Sequence, residues 1–270
     1  MIHNKGYKVK FLAAITFIIV LIVNFLANYL PINGVLTSEV SDKYESLFTP
    51  AGFIFAIWGV IYILLLLFTI YQYLELRNKE PEMDDNYIEK VSSYFMISNI
   101  FNVLWILAWH YDLILLSTIF MVFIYIYLFL IMLQIKKSYN SIKDRFFIEI
   151  PFSIYFAWIN VALLANLMAV YKFFKLDNSL NENLTVIIVI LLGLIIISSM
   201  SIYFKSISYL LTGAVSYLAI FLNHIDPNKY NSNYKYIMAS LIASFIIFIG
   251  SFIYIVYKKY IKKRSTIFSN

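Results

Sequence analysis

Cysteine is absent from this 270-residue chain, which excludes disulfides, a thiol nucleophile and thiolate metal ligands and leaves the redox compartment open. Charge is scarce. Asp, Glu, Lys and Arg make up 13% of the residues, against roughly 25% in soluble globular domains. Histidine occurs only at His3, His110 and His224, each in or beside a different loop, with no H-E-x-x-H pattern and no paired carboxylates on a helix face. A Walker loop is missing too, so ATP hydrolysis by that route is excluded. Proline never interrupts the middle of an apolar run: Pro31, Pro81 and Pro227 lie between runs, and Pro50 and Pro151 fall at or near run starts, where a missing N–H costs little. The net charge of +6 is gathered in short clusters beside the runs, which argues against nucleic-acid binding.

What the chain has in abundance is apolar length, with 62% hydrophobic and 19% aromatic residues. A helix needs about 20 residues to cross a hydrocarbon core of roughly 30 Å. Hydropathy predicts eight such spans, at 11–30, 51–74, 93–110, 113–135, 147–171, 184–204, 206–223 and 234–257. The runs are too long and continuous for the alternating strands of an outer-membrane barrel. The expected fold is therefore all-α, a polytopic membrane helical bundle. Lys205 separates the sixth span from the seventh, and we read it as a tight turn, because a lysine in mid-membrane costs about 2.5–3.5 kcal/mol.

Orientation follows from the cations, which resist translocation. With the N-terminus inside, all but five of the 21 Lys and Arg fall on the inner side; the exceptions are Lys43, Lys172, Lys175, Lys229 and Lys235. The expectation is a multi-pass protein of the cell membrane with both termini cytoplasmic. The first run reads as a retained anchor, since it is long and no A-x-A pattern closes it. The basic tail Lys258 to Arg264 is accounted for by topology, although it also suits anionic headgroups. The mixed, acidic-leaning segment Glu75 to Lys90 reads as a solvated linker.

On this topology every ionisable carboxylate, lysine and arginine falls in a loop or at a helix end. Ion-coupled carriers and pumps place such groups inside the bundle, and intramembrane hydrolases need a nucleophile with a base, or a metal. Neither catalytic nor metal-ligating residues are expected. The interior instead holds rings and amides at helical spacing. Ser98, Asn102, Trp105 and Trp109 form one stripe on the third span, and Pro151, Tyr155, Trp158 and Ala162 form another on the fifth, with Asn160 and Asn166 offset. The second span carries Phe55, Trp58 and Tyr62, and the first carries Asn24 and Asn28 one turn apart. Trp109, near the end of its span, is read as an interfacial belt residue. The others fit either simple core packing or a ring-lined cavity for a flat hydrophobic ligand. Small residues including Gly193, Ser198, Ser199, Gly213, Ser240, Ser244 and Gly250 provide for close helix approach in the last three spans.

The stretch from Phe48 to Tyr62, with Pro50, Gly52, Trp58 and Tyr62, resembles the second-helix signature of the translocator protein family, also called tryptophan-rich sensory proteins. Asn102 and Trp105 look like the family's N-x-x-W element, and Pro151 with Phe152 is similar to its P-Y-x-x-W segment. Order and spacing agree over about the first 172 residues. The chain departs from the pattern at Tyr155 and Phe53, where the family has tryptophan, and has no asparagine at the family's late fifth-helix spacing. The resemblance implies a five-helix core at 1–172 and a three-helix C-terminal membrane extension with a basic tail at 173–270. It also implies a pocket for porphyrins, haem-like tetrapyrroles or sterol-like lipids, bordered by Trp58, Tyr62, Asn102, Trp105, Tyr155, Trp158 and Asn160. No cofactor is required on this reading. Three functions are carried forward: a non-enzymatic receptor or transporter for a planar hydrophobic ligand; a permease subunit served by a separate ATPase through the segments 75–92 and 136–145; and, least favoured, a membrane enzyme acting on a lipid or pigment. The expected partners are the small-molecule ligand and membrane lipid, with a homodimer or an ATPase as further readings, and no nucleic acid.

Overall fold

The computed structural model describes residues 2–76, 85–137 and 141–268. Among these residues there are helices and turns and no strand. In chain order the helices are α1 (Ile2–Tyr29), α2 (Thr37–Lys43), α3 (Ile57–Leu76), α4 (Asp85–His110), α5 (Ile114–Lys137), α6 (Ile142–Asp144), α7 (Ile150–Phe173), α8 (Glu182–Phe204), α9 (Ile207–Ile225) and α10 (Lys235–Phe268). Eight segments are long and apolar enough to cross a bilayer, so the eight spans read from hydropathy are all present in a helical bundle. Ile18, Ile63, Leu116, Ile195 and Ile246 point away from the bundle and are exposed. Such a surface is stable only against lipid.

α7 is the central pole, packed against α3, α5, α8 and α9, while α1, α4 and α5 form a row on one side and α8, α9 and α10 a group on the other. One contiguous cluster of buried side chains runs from Ala13 in α1 to Ile255 in α10, through both sequence halves. Close approach in the second half depends on two glycines. A Cβ at Gly193 would lie 2.4 Å from the Tyr217 hydroxyl and 2.7 Å from Leu164 Cδ1, and one at Gly213 would lie 2.6 Å from Ile197 Cγ2. At Gly250 nothing lies within 4 Å, so this position, expected to be a helix contact, has open space around it.

The turns explain most boundary differences from the sequence reading. At Lys205 the helix ends in a left-handed residue (φ 53), with Ser206 N donating to Ser201 O and Lys205 N to Ile202 O. Ser206 Oγ then accepts from Tyr209 N and caps α9. This pair of motifs ends one helix and starts the next within two residues, so the expected tight turn is there. The same 6→1 and 5→2 bonding closes α4 at Asp112 (φ 62). The fifth span begins earlier than expected, at Ile142, and passes through a π turn at Arg145–Glu149 before α7. That turn lies directly before Pro151, whose ring and missing N–H disfavour a regular ladder to the preceding turn. The second span opens as a 3₁₀ turn at Gly52–Ala56 instead of α-helix. The segments 75–92 and 136–145, the docking surfaces of the permease reading, lie partly outside the described residues, at 77–84 and 138–140. Three charges sit deeper than loops: Lys10 and Asp144 are buried, and Glu149 lies in the π turn beside Arg145 at 3.4 Å. Asp144 accepts from the Tyr71 hydroxyl at 3.0 Å and caps Ser141. All three belong to the bundle end that carries both termini.

Candidate ligand-binding site

The two predicted stripes and the second-span rings meet. Trp58, in the first turn of α3, is the hub: its ring centroid is 5.6 Å from Tyr62, 5.9 Å from Trp105, 6.2 Å from Tyr155 and 6.0 Å from Trp158. Phe55 adds an edge contact to Trp158 at 6.4 Å, and Trp105 stacks on Trp109 at 6.5 Å. All four tryptophans therefore form one chain of rings spanning α3, α4 and α7. Stacked and edge-on arrangements at such distances add about 0.5–1.5 kcal/mol per pair beyond area burial. Trp105, Tyr155 and Trp158 are buried, while Trp58, Phe55 and Tyr62 are half-buried.

Amides fix this cluster from behind. Trp105 Nε1 donates to Asn166 Oδ1 (3.2 Å), and Asn166 Nδ2 donates to Ser117 and Thr118 of α5 (2.9 and 3.0 Å). Asn102 Nδ2 donates to the Tyr155 hydroxyl (3.2 Å), and Asn102 Oδ1 accepts from Asn24 Nδ2 (3.0 Å). Buried amides paired in this way hold helices together in lipid. Two buried polar atoms at the cluster, Trp158 Nε1 and Tyr62 Oη, have no partner on the protein, and neither has Asn160 Nδ2, whose residue lines neither of the cavities beside the rings. Asn160 thus takes no part in the thread that joins Asn102 to Tyr155. The asparagine that pins a tryptophan is Asn166, which the spacing left off the stripe.

Two cavities flank the rings. A cleft of about 910 Å³ lies between α1, α2, α3 and α4, lined by Asn24, Asn28, Gly52, Phe55, Trp58, Gly59, Tyr62 and Trp105 and by Thr37, Ser38 and the carboxylate Asp42 of α2, with exposed Ile22, Phe25 and Tyr29 also in its lining. Neither Gly52 nor Gly59 has a positive φ, and a Cβ at either would meet nothing within 4 Å. Their lack of a side chain keeps this volume open and serves no packing contact. An inner pocket of about 70 Å³ adjoins the cleft along the same rings, lined by Pro50, Phe55, Trp58, Trp105, Trp158 and Asn166 together with Thr37 and Ser41 of α2 and the loop residue Thr49. Its lining holds no charged side chain.

A long connection, residues 30–51, roofs the inner pocket and is tied down at both ends. On one side His110 bonds through Nε2 to Thr37 Oγ1 (3.0 Å) and through Nδ1 to Ile32 O (3.2 Å), and Trp109 Nε1 donates to Thr37 O (3.3 Å). Lys43 pairs with Asp112, which also accepts from the Tyr44 hydroxyl at 2.6 Å. Partial burial pushes the Asp112 carboxyl upward, but the bonds from Lys43 and Tyr44 outweigh this and hold it below the usual carboxylate range. On the other side His224 Nε2 bonds to Leu47 O (2.8 Å), Asn223 Nδ2 donates to Thr49 O, Ala51 N donates to Ala219 O, and Glu182 accepts from Leu47 N. Lys229 pairs with Glu45 at 3.0 Å, and its amine is raised above the ordinary lysine value chiefly by that bond. α8, α9 and the turn after α9 therefore grip the segment that leads into the ring-bearing helix.

Two expectations change here. Trp109 is buried, 6% exposed, and donates to the loop, so it is not an interfacial belt residue; the roof covers what would otherwise be a membrane boundary. His110 and His224 serve as loop staples, a role that depends on partners some 73 to 177 positions away and leaves no local signal. Among the described residues no group of three or more His, Asp or Glu is placed to hold a metal ion.

Comparison with known proteins adds one positive finding. The family model described as TSPO-like protein matches residues 10–264, running through all eight spans and well past residue 172. No curated protein and no solved structure matches the chain.

Proposed function

This chain belongs to the TSPO-like protein family, and from that membership and the ring-walled cleft we propose that it is a membrane receptor or transporter for a planar hydrophobic ligand, a tetrapyrrole or a sterol-like lipid, and not an enzyme. The cleft carries the reading. Pockets for ligands of this size are typically about 300–1,000 Å³, and the cleft of about 910 Å³ falls within that range, whereas the inner pocket of about 70 Å³ admits only an end group. Phe55, Trp58 and Trp105 present the ring wall, and Asn24, Asn28 and Tyr62 supply the polar positions. A flat apolar ligand would gain stacking and area burial against these rings, while the Asp42 carboxylate in the lining is solvent-exposed and keeps its hydration. Orientation is part of the proposal: the bundle end opposite the termini, where Lys43, Lys172 and Lys229 each sit in an ion pair, faces away from the cytoplasm.

Titration of the purified protein with protoporphyrin, read by tryptophan fluorescence, tests the proposal. Saturable quenching is expected, with affinity weakened about tenfold in Trp58→Ala, since one ring pair is worth up to about 1.5 kcal/mol. Non-saturable quenching, equal in the variant, would overturn it.

A further inference from the structure

One residue that lines the inner pocket carries a buried donor without an acceptor. Trp158 is 3% exposed, lines the pocket, and its Nε1–H meets no acceptor on the protein. The neighbouring indoles are different: Trp105 donates to Asn166 and Trp109 to Thr37 O. An indole nitrogen only donates, and a buried donor left unpaired is costly. Hydroxyls of Thr37, Ser41 and Thr49 border the same space, and nothing charged does. Phe55, Trp58 and Trp105 line both the cleft and the inner pocket, so the two spaces adjoin and a ligand body in the cleft has the inner pocket beside it.

From these facts we infer that the inner pocket selects ligands by an uncharged hydrogen-bond acceptor, a carbonyl, ester or ether oxygen on the end of the ligand, which receives the Trp158 indole N–H. An ionised carboxylate at the same place would lose its hydration with no cation to compensate it, a larger penalty than one hydrogen bond returns. The inference rests on the proposed function and narrows its ligand class.

The test compares three porphyrins of one ring system against the full-length protein in nanodiscs: etioporphyrin, which carries only alkyl groups, protoporphyrin dimethyl ester and protoporphyrin free acid. The ester is expected to bind about tenfold more tightly than etioporphyrin, and Trp158→Phe to erase that difference while etioporphyrin binding persists, which also shows that the variant folds. In a ¹H–¹⁵N spectrum the Trp158 indole signal, identified by its loss in the variant, should move downfield with the ester relative to etioporphyrin. Equal affinity for ester and etioporphyrin, or a preference that survives Trp158→Phe, would overturn the inference while leaving the receptor reading intact. Tighter binding of the free acid at neutral pH would overturn the requirement for an uncharged acceptor. If none of the three porphyrins binds, the receptor reading itself fails and the inference falls with it.

Discussion

Asp112 ends α4 in the left-handed conformation and at the same time receives Lys43 and Tyr44 from the roof loop. A glycine would end the helix with less strain, so the carboxylate is what the position retains. Because its folded-state pKa is lowered, its contribution to stability is complete above the ordinary carboxylate value of 3.8 and is lost as pH falls through the lower folded value. Asp112→Asn should therefore melt below the unsubstituted protein by a constant margin from pH 7 to about pH 5, and that margin should shrink below 3.8. Thermal denaturation across pH checks this, and a margin that does not change with pH would contradict it. At this scale the sequence was legible where local spacing decides direction: Ser98, Asn102, Trp105 and Tyr155 all face inward as their i, i+4 pattern requires. It was opaque where the partner is remote. Nothing near Trp109 shows that residues 30–51 fold back over it, and nothing near Asn166 shows that Trp105 will seek it.

Helix extents were readable to within a turn, since hydrophobic length is a property of the segment alone. Their details depend on caps and kinks, as the π turn before Pro151 and the 3₁₀ opening at Gly52–Ala56 show. Small residues gave a partial guide to helix contacts, because size says that two helices are able to approach and not that they do. Gly193 and Gly250 illustrate the difference and provide a paired test. Gly193→Val would drive side-chain atoms into Tyr217, whose hydroxyl donates to Ile190 O at 2.7 Å, and overpacking of this kind costs about 1–3 kcal/mol. Gly250→Ala meets open space and should be neutral or stabilising by up to about 1 kcal/mol through helix propensity. Melting both variants in the same detergent separates them, and equal melting temperatures would contradict the α8–α9 packing described above.

Across the whole molecule, α8, α9 and α10 complete the core beside α7, and α8, α9 and the turn after α9 hold residues 45–51 in place. Their loop bonds give these spans a part in shaping the ring site, which no feature of the sequence after residue 172 announced. The native chain lacks cysteine, so single-cysteine labelling reports topology cleanly. With an impermeant maleimide on intact cells, Asn228→Cys should label and Lys137→Cys should label only after permeabilisation; the reverse would contradict the proposed orientation. The central claim is that the cleft beside Trp58 is a ligand chamber, and Gly59 offers the most direct test because it lines the cleft and a Cβ there meets no protein atom within 4 Å. Porphyrin titration of Gly59→Leu should show the melting behaviour of the unsubstituted protein but binding weakened by at least about tenfold. Superimposable titration curves for the two proteins would contradict the account.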